Sequence, residues 1–269
     1  MKYATVFLVE LQHAFVYKSK SFVWFLIPLI QVGLMLMYWI SASRNNNLGL
    51  SLSVITSYYL FLVIAGSFLI CHIEEDVANV DIMEGSLINY LTRPVSYFWM
   101  KFAEELPWRV LQGTYGVITL VVLSMIFGKF FLITGDILIL MLAVISIILA
   151  YFLFFTYKIT IGLLAFWLTD IGGFFQIQEM VLTVFTGTLM PLSLFPHALF
   201  SVAKILPFPY MMYCQNSLAI EKKTIAHTIK ETISHICTLW SNSSVGVATT
   251  SENGKTINSK KALTSLYIA

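Results

Sequence analysis

The sequence predicts an all-α protein, a polytopic membrane helical bundle with five clear spans and a marginal sixth. Composition makes the first case. Of 269 residues, 58% are hydrophobic and 11% charged, under half of the charged share of about 25% usual in soluble domains. Too little charge is present to cover a water-soluble globule, which excludes an ordinary soluble enzyme or a disordered scaffold. The net charge is only +2 and the 16 basic residues are spread thinly, which excludes the basic stripe of a nucleic-acid binder. The position of the charges makes the second case: Asp, Glu, Lys and Arg are all missing from 21–43, 45–73, 110–128, 137–157 and 181–203. A bilayer core of about 30 Å needs about 20 apolar helical residues. Spans are therefore expected at Phe22–Ile40, Ile55–His72, Val110–Phe127, Ile137–Tyr157 and Gln178–Met190.

Before the first span, Tyr3, Phe7, Leu11, Ala14 and Phe15 recur at helical spacing, with Glu10, His13 and Tyr17 on another face. Residues 1–20 thus read as an amphipathic helix lying on the membrane surface or packed on a partner. The first span starts too late and runs too long for the apolar core of a cleaved signal peptide. Trp24 and Trp39 stand at its two ends, about 22 Å apart along a helix, as interfacial anchors do. Placing the N-terminus inside leaves Lys2, Lys18, Lys20, Arg93, Lys101, Arg109 and Lys158 on the inner side, against Arg44, Lys129 and Lys204 outside. Basic residues accumulate on the cytoplasmic side, so a cytoplasmic N-terminus is expected.

The longest inner loop, 74–102, holds the most informative soluble segment. Gly85 permits a turn, Ser86 can cap a helix, and Pro94 stops one, so a helix of about two turns is predicted over 86–93. Leu87 and Leu91 share one face with Ile88 beside them, and Arg93 complements the dipole at the last turn. Such a helix needs the membrane surface or a cleft on a second protein to bury its apolar face. The acids Glu74, Glu75 and Asp76 project in different directions and read as a solvated cluster. Further on, 137–168 is interrupted only by Lys158, and one helix of that length, about 48 Å, extends past the bilayer before the glycines at 172 and 173. Pro191, Pro196, Pro207 and Pro209 break an apolar segment into short helices, expected over 191–210 at the outer interface or against other spans.

Asp81-Ile82 with Gly85 and Tyr90-Leu91-Thr92-Arg93-Pro94-Val95-Ser96 form one motif. Phe166-Trp167 with Asp170-Ile171-Gly172 form a second. Phe185-Thr186-Gly187 leading to Pro191-Leu192 and Leu194-Phe195-Pro196 form a third, and Leu206-Pro207-Phe208 before Tyr210 a fourth. In this order they resemble the permease subunits of type 2 ABC transporters, in the bacterial branch that works beside a separate ATPase. The resemblance covers roughly residues 1–215. It implies an exporter subunit in the cell membrane, paired with a second permease subunit as a homo- or heterodimer and driven by an ABC ATPase subunit that binds ATP and Mg. It further implies that Gly85, Leu87, Ile88, Tyr90, Leu91, Arg93 and Pro94 form the ATPase-coupling helix. Gly187, Pro191, Pro196 and Pro207 would lie in the outer gate segment. Glu84 departs from the family, where a basic residue is expected.

Absences in the sequence point the same way. The expected spans carry no ionisable group at mid-depth, with Lys158, Asp170 and Glu179 at or near span ends where they can reach water. An ion-driven carrier usually buries such groups, so an external energy source and an apolar or amphipathic cargo are expected. Gly254-Lys255-Thr256 mimics the end of a Walker A loop, but position 249 is Thr and not Gly. No catalytic or metal-binding pattern is present, and Cys71, Cys214 and Cys237 are too few for a disulfide framework. The chain is thus read as non-enzymatic and without a cofactor of its own, with a non-transport membrane protein as the competing class. Its permease domain is placed at 1–220. The remaining 221–269, with six Lys, three Glu and many Ser, Thr and Asn, reads as a weak sixth span or a disordered tail.

Overall fold

A computed structural model describes residues 2–45, 52–93, 95–127, 137–168, 170–213, 231–236, 238, 248–250 and 256–258. Pro94, the side chain of Trp24, and most of the segment beyond 213 lie outside the described residues. The fold is helical throughout the bundle. Helix α1 (Lys2–Val16) is followed at once by α2 (Lys18–Asn45), and α3 (Leu52–Leu69) leads through 70–72 into α4 (Ile73–Glu75). α4 continues as a π-helix over Asp76–Met83. After it come α5 (Ile88–Leu91), α6 (Tyr97–Phe127) and α7 (Ile137–Gly162), which tightens into a 3-10 turn at Leu163–Phe166. Then follow α8 (Gly172–Phe185), a 3-10 turn at Leu192–Leu194, α9 (His197–Ala203) and α10 (Phe208–Met211). Outside the bundle, β1 (Ala248–Thr250) and β2 (Thr256–Asn258) make a short antiparallel ladder with Thr249 opposite Ile257.

Three described helical stretches are long and apolar enough to cross a membrane: Ser53–Met83, Tyr97–Leu123 and Ala143–Phe166. They overlap the expected spans at Ile55–His72, Val110–Phe127 and Ile137–Tyr157. The expected first span is helical within α2, whose described apolar stretch is Gly33–Ala42. The expected fifth span is corrected. α8 has 14 residues, about 21 Å of helix, and it stops at Phe185 instead of running to Met190. Gly187, at φ +81°, turns the chain through the left-handed region that a side chain disfavours. Thr186 Oγ1 closes the last turn by donating to the Leu182 carbonyl at 2.6 Å.

The core is built where α3, α6 and α7 meet. Tyr59, Leu62 and Leu69 of α3, Phe98 of α6, and Leu153, Phe155 and Ile159 of α7 are all buried in one cluster. Phe98 and Phe102 meet Phe155 edge-on, with ring centroids 5.4 and 5.2 Å apart, an arrangement that adds to area burial. α1 packs along α6. Ala14 is fully buried there, and the Ser96 amide donates to the Tyr3 hydroxyl at 2.9 Å. α1 therefore packs on this chain's own α6, but not through the whole face read from the sequence, since Tyr3 and Phe15 stay exposed.

Candidate functional site

The bundle has two ends that can be told apart by what α8 touches. Its start packs Ile171 and Phe175 against Ala78 and Ala165, while beyond its finish the Gly187 carbonyl accepts a hydrogen bond from Tyr58 near the start of α3. One end therefore carries the π-helix and α5, and the other the Gly187 turn.

At the α5 end, Asp81 is the hub. Its Oδ2 accepts from Tyr97 at 2.6 Å and lies 2.8 Å from Lys101 Nζ, while Oδ1 accepts from Ser86 at 3.0 Å. Lys101 also stands 3.5 Å from Glu104, which in turn accepts from the Tyr90 hydroxyl at 3.1 Å. Burial pushes the Tyr90 hydroxyl up to about 12, so at neutral pH it stays protonated and donates. Asp81 and Lys101 are both buried. Each has the charged partner and hydrogen bonds that a buried ion requires. The result is a clamp that fastens 81–90 to the first two turns of α6.

The loop inside the clamp differs from the sequence expectation in its cap. Gly85 makes the turn, at φ +80°, but Ser86 gives its hydroxyl to Asp81 and caps nothing. The helix shrinks accordingly to Ile88–Leu91, with Leu87 at its N-cap and no side-chain cap. Leu87 turns inward and is buried, whereas Ile88 and Leu91 stay 63% and 59% exposed. Leu87 and Leu91 thus do not present one shared face. Arg93 is exposed, and so is Glu84.

A second ionic cluster overturns two expectations. Lys158 is fully buried and does not snorkel to water. Its Nζ lies 2.5 Å from Glu74 Oε1 and 3.0 Å from Glu179 Oε2. Glu74 is buried as well, so of the acidic trio only Glu75 and Asp76 are exposed. The helices run past the span limits read from the sequence, which brings Glu74 of α4, Lys158 of α7 and Glu179 of α8 together. α4 and α7 approach closely at the same place. A Cβ on Gly162 would stand 2.8 Å from Val77 Cβ and 3.0 Å from the Glu74 carbonyl. Just beyond the expected spans, a recess of about 240 Å3 is lined by Glu75, Asp76, Glu105 and Arg109.

At the other end no ion pair holds the turn among the described residues. The Tyr58 and Tyr59 hydroxyls donate to the carbonyls of Gly187 and Leu189 at 2.9 and 3.0 Å. The Trp39 indole reaches the Leu189 carbonyl at 3.4 Å. Beyond it the prolines do break the chain into short helices. Pro191 and Pro196 immediately precede the Leu192–Leu194 turn and α9, and Pro207 precedes α10. Phe208 reaches down between Tyr157 of α7 and Phe185 of α8, and Met211 is fully buried, while Lys204 stays exposed. Residues 231–236 are helical, and His235 lies on the Tyr210 ring, with centroids 5.0 Å apart.

Sequence reasoning singled out Gly85 and Gly187, and both adopt the positive φ that makes glycine necessary. It missed Asp81, Lys101 and Glu104 as a clamp, and Glu74 as the partner of Lys158. One signal was available: a lone Lys158 in the apolar run 137–168 needs a buried carboxylate.

A family model described as "ABC-2 family transporter protein" matches residues 19–246. No curated protein and no solved structure matches the chain.

Proposed function

The chain belongs to the ABC-2 family of transporter proteins, and from that premise we propose that it is an exporter's permease subunit moved by a separate ATPase through α5. It is a membrane protein of a transport family; the coupling route, the direction and the partners are our reading. A pair of permease subunits, two copies or two related chains, would enclose the path. The partner ATPase subunits would hold ATP and Mg. In this reading the membrane is the cell membrane, and the N-terminus and α5 face the cytoplasm.

The observation that carries the reading is the exposed apolar pair Ile88 and Leu91 on a rigid mount. An exposed pair on a loose loop would absorb a push. Here Asp81 and Glu104 tie the loop to α6 through Lys101, Tyr97 and Tyr90. The π-helix packs on the 3-10 turn that ends α7, and Lys158 joins α7 to α8 through Glu179. A displacement at α5 is thereby passed to three helices, the last of which ends at the Gly187 turn. Gly187, Pro191, Pro196 and Pro207 would then form the outer gate that responds.

The test is copurification of the full-length chain with its coexpressed ATPase. Ile88→Asp and Leu91→Asp, which place charges on exposed positions and spare the core, should each abolish assembly and the permease-stimulated part of ATP hydrolysis. Unchanged assembly and hydrolysis in both variants would refute the coupling role of α5.

A further inference from the structure

We infer that Glu179 on α8 is a cargo-binding residue, and that it recognises the ammonium group of an otherwise apolar molecule. The inference rests on the permease reading and adds to it the chemical class of what is carried.

α8 turns Phe175, Gln178 and Leu182 into the bundle and leaves Gln176, Ile177 and Met180 exposed. Glu179 sits between these two faces, the eighth of 14 residues, about 10 Å along the helix from either end. Its side chain is 48% exposed. In a helix packed among membrane spans, a half-exposed carboxylate is costly against acyl chains, and such groups face a bundle interior or a water-filled cavity. The exposed side of α8 then lines the path, with Ile177 and Met180 as apolar wall beside the carboxylate.

The cluster behind Glu179 is short of positive charge. Glu74 and Glu179 share the one ammonium of Lys158, which leaves one negative charge uncancelled. Lys158 and Gln178 both donate to Glu179 Oε2, so its Oε1 has no partner among the described residues. Donors are short as well. Gln178 is 5% exposed and Glu74 2% exposed, yet Gln178 Oε1 and Glu74 Oε2 have no hydrogen-bond partner among the described residues. Buried polar atoms normally have one. No three His, Cys, Asp or Glu side chains converge to hold a metal ion among the described residues. An ammonium answers both shortages, since it brings a positive charge and N–H donors together. His72 lies within electrostatic reach of Lys158 and Glu179, and its protonation would cancel the surplus charge. Binding is therefore expected where imidazole is neutral.

The experiment uses the full-length protein in phosphatidylcholine nanodiscs at about pH 8, above the ordinary imidazole pKa of about 6.5 and below the roughly 10 of an alkylammonium. Three probes share one apolar cage and differ in charge: adamantylamine, adamantanol and adamantanecarboxylate. Equilibrium dialysis should show saturable binding of the amine, about tenfold or more weaker binding of the alcohol, and none of the carboxylate. Glu179→Gln should weaken amine binding about tenfold or more. Gln176→Lys, at an exposed position three residues before Glu179, places a tethered ammonium within reach of the same carboxylate and should do likewise. It keeps the test alive if the Glu179 variant fails to fold. No saturable amine binding, equal binding of the three probes, or amine binding that a folded Glu179→Gln or Gln176→Lys protein leaves unchanged would overturn the inference. So would amine binding in discs holding one copy that vanishes in discs holding two, which would give Glu179 to the interface between copies. No ATPase takes part in this measurement, so its failure leaves the copurification test of coupling standing, and the reverse holds.

Discussion

At the α5 end, Asp81 gathers a lysine, a tyrosine and a serine within 3.0 Å, and Lys158 sits between the carboxylates of Glu74 and Glu179. At the Gly187 end, neutral hydroxyls and one indole reach backbone carbonyls. The two chemistries respond differently to strain. A buried ion that loses its partner is left in a low-dielectric surrounding, at a cost of several kcal/mol, so the ionic end resists separation. A neutral hydrogen bond contributes only about 1 kcal/mol net. The ionic end is therefore built to move as one body, and the neutral end to rearrange when pushed.

Removing the ammonium at the centre of the ionic end should have the largest effect. Lys158→Met leaves Glu74 buried without its cation and should destabilise the protein by about 3–5 kcal/mol, read by thermal unfolding in detergent. Adding Glu74→Gln should return much of that loss, because the uncompensated charge is gone. A steric version comes next. Gly162→Val places side-chain atoms against Val77 and the Glu74 carbonyl, and overpacking of this kind costs about 1–3 kcal/mol. Asp81→Asn keeps the shape of the clamp but removes one of its three charges. It should cost about 1.5–3 kcal/mol, as loss of hydrogen bonds to a charged group does. Tyr58→Phe at the neutral end should be mildest, about 1 kcal/mol, measured by the same unfolding. A Tyr58 effect as large as that of Lys158 would erase the contrast between the ends.

Much of the helical layout was legible because lipid imposes a rule on single stretches of chain. Charges vanish for about 20 residues at a time, and that pattern needs no tertiary information. Gly85 and Gly187 were legible for a similar local reason, since each sits where a helix must turn. The clamps were not legible. Glu74 and Lys158 are 84 positions apart, and nothing local says that α4 and α7 will be pressed together until Gly162 lets them approach. Ser86 shows the opposite failure. Its local preference for a helix cap was correctly read, but Asp81 offers a charged acceptor, which makes a stronger hydrogen bond than a backbone cap. The fifth span failed because hydropathy continues past Phe185 while the backbone turns. Composition registers oiliness, and Gly187 registers direction.

The central claim is that 81–91 and the start of α6 behave as one body while the Gly187 turn is free to respond. Hydrogen–deuterium exchange on the full-length protein in nanodiscs tests it directly. Amides of 85–91 should exchange as slowly as those of 97–104, Asp81→Asn should speed both together, and 186–190 should exchange faster in both proteins without responding to the substitution. Fast exchange at 85–91 in the unmodified chain, or an Asp81→Asn effect confined to one side of the clamp, would contradict it.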